Sequence, residues 1–78
     1  MDARFIKYDF GSSLGHFIEE CGEVLAAAGK TARFGPLSVN PLLPRQDQET
    51  NFVWLARELK DLKLAIERLE DAMESERK

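Results

Sequence analysis

The sequence has a single cysteine, a single histidine and a single tryptophan, and it contains no long apolar run. Because Cys21 is alone, no intramolecular disulfide can form, and the thiol is expected to pack as a minor hydrophobic group. No apolar run approaches the 18 or so residues that a membrane span requires. The charges spread over the first ten residues, "MDARFIKYDF", argue against a signal peptide. We therefore expect a cytoplasmic protein that does not bind membranes.

Basic residues are also in the minority, since 11 Lys and Arg residues face 14 Asp and Glu residues, which gives a net charge of -3. An acidic chain is disfavoured as a nonspecific binder of polymeric nucleic acid. The length of 78 residues allows one domain at most. A single core of this size is marginal unless a metal or a second subunit adds stability, so we expect some form of assembly.

Two helical segments and one connection make up most of the chain. The first helix is predicted over about 12–33, capped by Ser12 or Ser13 and ended by "FGP". Residues 34–47 hold all three prolines and no helical period, so they form a connection whose leucines are expected to pack down. The second helix is predicted over about 48–75, with Asp47 as its N-cap. The sequence therefore predicts an all-α fold, a two-helix hairpin.

Each predicted helix carries an apolar seam with a repeating spacing of three and four residues, which is typical of helices packed at a shallow angle. In the first helix the seam is Leu14, Phe17, Ile18, Cys21, Val24, Leu25 and Ala28. In the second helix it is Phe52, Leu55, Leu59, Leu62, Ile66, Leu69 and Met73. The two seams can cover each other, but a two-helix layer leaves flanks exposed. We therefore expect a four-helix bundle made by two chains, as a homodimer or a homotetramer.

Polar residues form a second row along each helix. At about 100° per residue, Glu19, Glu20 and Glu23 share one arc on the side away from the seam. The row in the first helix is His16, Glu20, Glu23, Ala27 and Lys30. The row in the second helix is Asn51, Trp54, Glu58, Asp61 and Ala65. Three glutamates on one helix are also what a solvated face contains, and His16 reads most simply as a surface residue.

The tryptophan in the second row indicates that this flank is at least partly covered. Glu58 and Asp61 lie one turn apart on that flank, and covered carboxylates need partners. Arg57 or Lys60 of a neighbouring chain could supply them. A divalent cation that also binds the glutamates of the first helix could do the same. With carboxylate ligands and no cysteine or histidine set, magnesium or manganese is favoured over zinc.

The two acidic motifs resemble those of a known family. "EECGE", with Glu19, Glu20 and Glu23, followed by "ELKD", with Glu58 and Asp61, resembles the EExxE and ExxD motifs of MazG-type all-α nucleoside triphosphate pyrophosphohydrolases. The segments "GEVLAAAGK" and "NFVWLARELKDLKLAIERLE" resemble the text around those motifs. The resemblance covers residues 14–72 in two blocks.

The resemblance implies a helical dimer, or dimer of dimers, that hydrolyses a nucleoside triphosphate to the monophosphate and pyrophosphate with bound Mg²⁺, Mn²⁺ being an alternative. It implies metal ligation by Glu20, Glu23, Glu58 and Asp61. It also implies that Glu19 is either a further ligand or a group that helps to activate water, and Glu20 is a catalytic candidate as well as a ligand. The substrate-binding candidates are Lys30 and Arg33 for the outer phosphates, Asn51 for the sugar and Trp54 for the base.

The chain departs from the family pattern in three places. The gap between the motifs is long and holds the proline-rich connection, the N-terminal segment is short, and the chain stops where many members have another helix. These differences make a partner chain more necessary. They also leave open a second hypothesis, a nonenzymatic helical oligomerisation or regulatory module that keeps the MazG-like fold.

Overall fold

A computed structural model of the chain describes residues 9–77, and within that range the protein is a helical hairpin. Helix α1 is Asp9–Phe34 and helix α2 is Asn51–Arg77. The helices run antiparallel, because Asn51 at the start of α2 contacts Lys30 near the end of α1, whereas Arg68 contacts His16. The predicted all-α hairpin is confirmed. Neither of these helices is both long enough and apolar enough to cross a membrane.

Helix α1 ends where the sequence predicted but begins earlier. Gly35 follows the helix with a φ of 94°, and its N–H donates to the Thr31 carbonyl at 2.8 Å. A positive φ suits glycine, which has no Cβ to clash with the backbone. The predicted start at Ser12 or Ser13 is wrong, because both serines lie inside a helix that begins at Asp9. Both serines are half-buried within the helix, so neither of them is its N-cap.

Helix α2 begins later than predicted, and Asp47 is not its N-cap. Arg45–Asp47 forms a single 3-10 turn, after which the chain is extended and Thr50 pairs with Val39 in an isolated antiparallel bridge. Thr50 then caps α2, because its Oγ1 accepts a hydrogen bond from the Val53 N–H at 3.2 Å. The connection therefore spans residues 35–50, and it ends three residues later than the predicted end at residue 47.

The surface between the helices is rotated away from the predicted apolar seam and toward the polar rows. Among residues 10–77 the buried hydrophobic side chains are Ala27 and Ala65, and the buried polar ones are Asn51 and Glu58. Seam residues that lie beside them are half-buried: Phe17, Cys21, Val24, Ala28, Leu55, Leu62 and Leu69. The prediction that the two seams cover each other is therefore wrong for the seven seam residues that remain exposed.

The other half of the seam is exposed. It consists of Leu14, Ile18, Leu25, Phe52, Leu59, Ile66 and Met73. At about 100° per residue, these side chains fall on the flank opposite Glu23 in α1 and opposite Asp61 in α2. Since the helices are antiparallel, the two exposed rows share one side of the hairpin. The hairpin thus has an acidic face and an apolar face.

The connection is fixed to the start of α2 by backbone hydrogen bonds. The Asn51 N–H donates to the Ser38 carbonyl at 2.8 Å, and the Phe52 N–H donates to the Pro36 carbonyl at 2.9 Å. Its leucines do not pack down as predicted, because Leu37 is 81% exposed and Leu42 is 89% exposed. The reason is geometric: the connection is held to α2 by these backbone bonds and by the polar side chains of Glu49 and Thr50, and not by its leucines.

Candidate metal centre and adjoining cavity

Three carboxylates converge on the acidic face of the hairpin. Glu20 projects from α1, and Glu58 and Asp61 project from α2 one turn apart. One oxygen of each carboxylate lies within 4.8 Å of the others. The convergence follows from the rotated packing, which brings the two polar rows together across the antiparallel pair. Sequence reasoning predicted these three residues as metal ligands, and the structure brings them together.

Two oxygens of this cluster are buried without a donor. Glu58 is 4% exposed, and its Oε2 accepts no hydrogen bond from any of residues 9–77. The same holds for Oε2 of the half-buried Glu20 within the described chain. We call these two atoms the open oxygens. A buried acceptor that is left unsatisfied costs about 1–3 kcal/mol, and more when it is charged.

Burial raises the pKa of the Glu58 carboxyl above its ordinary value of 4.5, because removal from water disfavours the charged form. The nearby Glu23 carboxyl, with its negative charge, raises the pKa further. The Arg57 guanidinium opposes this shift, while Asp61 adds to it. The site therefore holds more negative charge than its own cation neutralises.

Arg57 is the cation beside the cluster, and it comes from the same chain. Its Nη1 lies 3.3 Å from Glu58 Oε1, and its Nη2 donates to Glu49 Oε1 in the connection. The hydrogen bond to Glu49, followed by the charges of Glu49, Glu58 and Asp61, raises the pKa of Arg57 and keeps it protonated. Sequence reasoning considered Arg57 as a partner supplied by a neighbouring chain. The structure shows that it pairs within its own α2 and with Glu49.

His16 contacts the other oxygen of Glu20, and Arg68 contacts His16 in turn. The His16 Nε2 lies 3.4 Å from Glu20 Oε1, and the His16 Nδ1 lies 3.2 Å from Arg68 Nη1. A guanidinium only donates, so Nδ1 accepts from Arg68 and the proton of a neutral ring is on Nε2, facing Glu20. His16 is half-buried, and not the plain surface residue that the sequence suggested. His16 thus contacts Oε1 of Glu20 and leaves Oε2 open.

The donor set fits a hard divalent cation. Its candidate ligands are carboxylate oxygens, which magnesium and manganese prefer, and two of those oxygens have no other partner in the described chain. A divalent cation in this position would satisfy the open oxygens and offset the repulsion that raises the pKa of Glu58. Glu23 is exposed, but it stands next to Glu58 and can complete the ligand set.

The remaining predicted site residues occupy different surroundings. Glu19 is exposed and lies outside the three-carboxylate cluster. Arg33 is exposed, with its guanidinium carbon 5.3 Å from the centroid of the Phe34 ring. The Asn51 side-chain amide is committed to structure, because it donates to the Lys30 carbonyl at 3.3 Å and to the Gly35 carbonyl at 3.1 Å. These two bonds tie the end of α1 to the start of α2.

A cavity of about 780 Å³ opens beside the cluster, between the end of α1, the connection and the start of α2. Two predicted substrate-binding residues line it: Lys30, whose Nζ is 5.4 Å from the Phe34 ring centroid, and the half-buried Trp54. Sequence reasoning missed the part of its wall that the connection supplies. The available signal was a group of apolar residues, Val39, Leu42 and Leu43, within the prolines of that segment.

Comparisons of the chain with protein-family models, curated proteins and solved structures found no match. The choice of function therefore depends on the chemistry of the site.

Proposed function

We propose that the chain is a MazG-like, metal-dependent nucleoside triphosphate pyrophosphohydrolase, which hydrolyses a nucleoside triphosphate to the monophosphate and pyrophosphate. The observation that carries the proposal is the convergence of Glu20, Glu58 and Asp61, of which Glu20 and Glu58 each have an open oxygen. A buried carboxylate with an unpartnered oxygen is costly to a small protein, and a bound cation would relieve that cost.

In this proposal Glu20, Glu23, Glu58 and Asp61 hold Mg²⁺, with Mn²⁺ as an alternative. The cation supplies charge neutralisation for the triphosphate and a bound water of lowered pKa. Glu20 is also a candidate for accepting a proton from the attacking water, because its carboxylate is oriented by His16, which Arg68 contacts in turn. Glu19 is the alternative group for accepting a proton from the attacking water, and its exposed position lets it reach solvent at the edge of the site.

The substrate contacts follow the same face toward the connection. Lys30 is placed to meet the outer phosphates, with Arg33 next to it in the last turn of α1. Trp54 offers a ring against which a base can stack. Asn51 was expected to bind the sugar, but both hydrogens of its amide are already given to backbone carbonyls. We therefore assign Asn51 a positioning role.

Assembly belongs to the same proposal. The apolar face leaves Phe52, Leu59, Ile66 and Met73 exposed at intervals of seven residues on α2. Two hairpins that meet through this face form a four-helix bundle with the acidic faces outward. We propose a homodimer, or a homotetramer built from two such dimers, acting in the cytoplasm on the nucleotide pool.

The test is pyrophosphate release from a panel of ribo- and deoxyribonucleoside triphosphates with Mg²⁺ or Mn²⁺. Glu58→Gln should abolish release, because it removes a ligand charge without changing the size of the side chain. The matched control is Glu67→Gln, an exposed glutamate on α2 outside the cluster, which should leave release unchanged. Release that survives in Glu58→Gln would refute the site.

A nonenzymatic helical oligomerisation module is the second candidate, and the exposed apolar face is the observation that favours it. This candidate predicts a stable oligomer that binds no divalent cation and releases no pyrophosphate from any triphosphate. Metal binding measured by calorimetry separates the two, because only the enzyme requires the acidic cluster to be a site.

A further inference from the structure

We propose that the cavity made by the connection is a nucleoside pocket, in which residues 35–50 select the base of the nucleotide substrate. This inference rests on the proposed function and deepens it: the acidic cluster binds the phosphates through metal, and the connection recognises the nucleoside.

The cavity wall is largely apolar, with a few polar groups. Phe34, Leu42 and Leu43 line the cavity and are 54%, 89% and 43% exposed, so they remain in contact with water in this structure. The volume of about 780 Å³ lies within the range of about 300–1,000 Å³ that is usual for small-molecule sites. Such sites are mostly apolar with a few polar groups, and here Ser38 and Asn40 supply polar groups for the edge of a base.

Hydrogen bonds hold the cavity wall in place before any ligand binds. Backbone bonds tie Ser38 to Asn51, and the Gln48 side chain donates to the Leu43 carbonyl at 3.1 Å. The Asn40 Oδ1 accepts from the Leu42 N–H at 3.0 Å. A site that is ordered in advance loses less conformational entropy on binding, which favours a specific small ligand.

The cavity and the acidic cluster are also neighbours along α2. Trp54, in the cavity wall, and Glu58, in the cluster, are one turn apart on α2, which is about 6 Å along the helix axis. Glu49 lines the cavity, and Arg57 binds both Glu49 and Glu58. Lys30 adds a cation to the same wall.

The occupant that fits this arrangement has a flat apolar end and an anionic end, joined by a short spacer. A nucleotide has these parts, since its sugar separates the base from the α-phosphate. A purely apolar ligand would leave Lys30, in the cavity wall, without a counterpart on the ligand. A free phosphate chain would leave the apolar wall of the connection in contact with water.

The single tryptophan makes the test direct, because Trp54 lines the cavity and is the only such fluorophore in the chain. The experiment titrates the wild-type protein, free of metal, with nucleosides and nucleoside monophosphates while Trp54 emission is recorded. We expect a saturable change that depends on the base. Leu42→Asp should weaken binding at least tenfold, because it places a charge against the apolar ring of the base.

The matched control is Leu37→Asp, which changes an exposed leucine of the same connection that does not line the cavity. It should bind as the wild type does. In turnover, Leu42→Asp should raise KM while kcat stays near the wild-type value.

The failure of this inference can be told apart from the failure of the proposed function. Absence of any base-dependent change up to millimolar nucleoside monophosphate, in a protein that releases pyrophosphate, would overturn the pocket alone. Binding without turnover would uphold the pocket and refute the enzyme. If both aspartate variants weaken binding equally, or if Leu42→Asp dissociates the oligomer, the connection is a protein contact and the inference fails.

Discussion

Replacing Glu58 by glutamine should stabilise the metal-free protein. The substitution keeps the shape of the side chain and removes a charge from a residue that is 4% exposed. It also ends the repulsion with Glu23 and Asp61, and the new amide can donate to a neighbouring carboxylate. A mutation that destroys the proposed site is thus expected to strengthen the fold, which is the reverse of the usual effect of a buried substitution.

The magnitude follows from two opposing contributions. Relief of the unsatisfied, charged Glu58 oxygen is worth about 1–3 kcal/mol. The ion pair of Glu58 with Arg57 is weakened, but the Arg57 side chain is 53% exposed, and such pairs contribute about 0–1 kcal/mol. The net gain is about 1–2 kcal/mol. For a domain of this size each kcal/mol raises the melting temperature by about 4–8 °C, so we expect a rise of about 5–15 °C.

The pH dependence has a definite sign. The pKa of Glu58 is raised in the folded state above its ordinary value of 4.5. Between the two values the folded protein binds more protons than the unfolded chain, so stability falls as pH rises through that window. The wild type should therefore approach Glu58→Gln in stability as pH falls toward 4.5. The difference in stability between the two proteins should be greatest above the folded-state pKa of Glu58.

The assay is thermal unfolding at equal protein concentrations, with chelator, from pH 4.5 to 8. Glu67→Gln is the control, because it removes the same charge from an exposed position on α2. Adding Mg²⁺ should reverse the order of stability, since a ligand at about 100 times its Kd stabilises the wild type by about 2.7 kcal/mol. Equal melting temperatures for wild type and Glu58→Gln at every pH would refute the assigned burial and repulsion.

Three further substitutions, and a fourth that serves as a control, test the packing. Asn51→Ala should cost about 1–3 kcal/mol, because it removes the amide that donates to the Lys30 and Gly35 carbonyls, and the shift in the urea midpoint measures it. Ala65→Leu should cost about 1–3 kcal/mol in the same assay by forcing the helices apart at a position with 0% exposure; no change would mean that the helices do not meet there. Leu59→Glu should dissociate the oligomer in analytical ultracentrifugation. Leu64→Glu, on the outer side of α2, should not.

The helical hairpin was predictable because it depends on local signals. The stop at Gly35 requires only a residue that tolerates positive φ. The start of α2 depends on a non-local contact, the pairing of Val39 with Thr50, and so the nearest capping residue, Asp47, was the wrong choice. Sequence patterns around Asp47 carry no information about that pairing.

The carboxylates of the site were predictable as a set, while their burial was not. Spacing places Glu58 and Asp61 on one flank of α2, and the tryptophan in the same row signals cover. The sequence pattern favoured the apolar seams as the contact between the helices, because their side chains are larger and more apolar than those of the polar rows. The hairpin instead packs on Ala27 and Ala65, whose small side chains allow close approach and leave the larger residues to the outside. The cavity was hidden because its wall depends on backbone bonds in the connection.

This division of surfaces explains why the proposed second copy and the proposed cation would each stabilise the hairpin. Two buried alanines remove little apolar area from water, at about 25 cal/mol per Å², and the same interface contains Glu58 with its open oxygen. The apolar face gains area only when a second copy covers it, and the acidic face is relieved only when a cation binds. Both partners stabilise the same folded state, so each adds to the unfolding free energy through its own binding equilibrium. Raising protein concentration and adding Mg²⁺ should therefore both raise the melting temperature, and Leu59→Glu should abolish only the first effect.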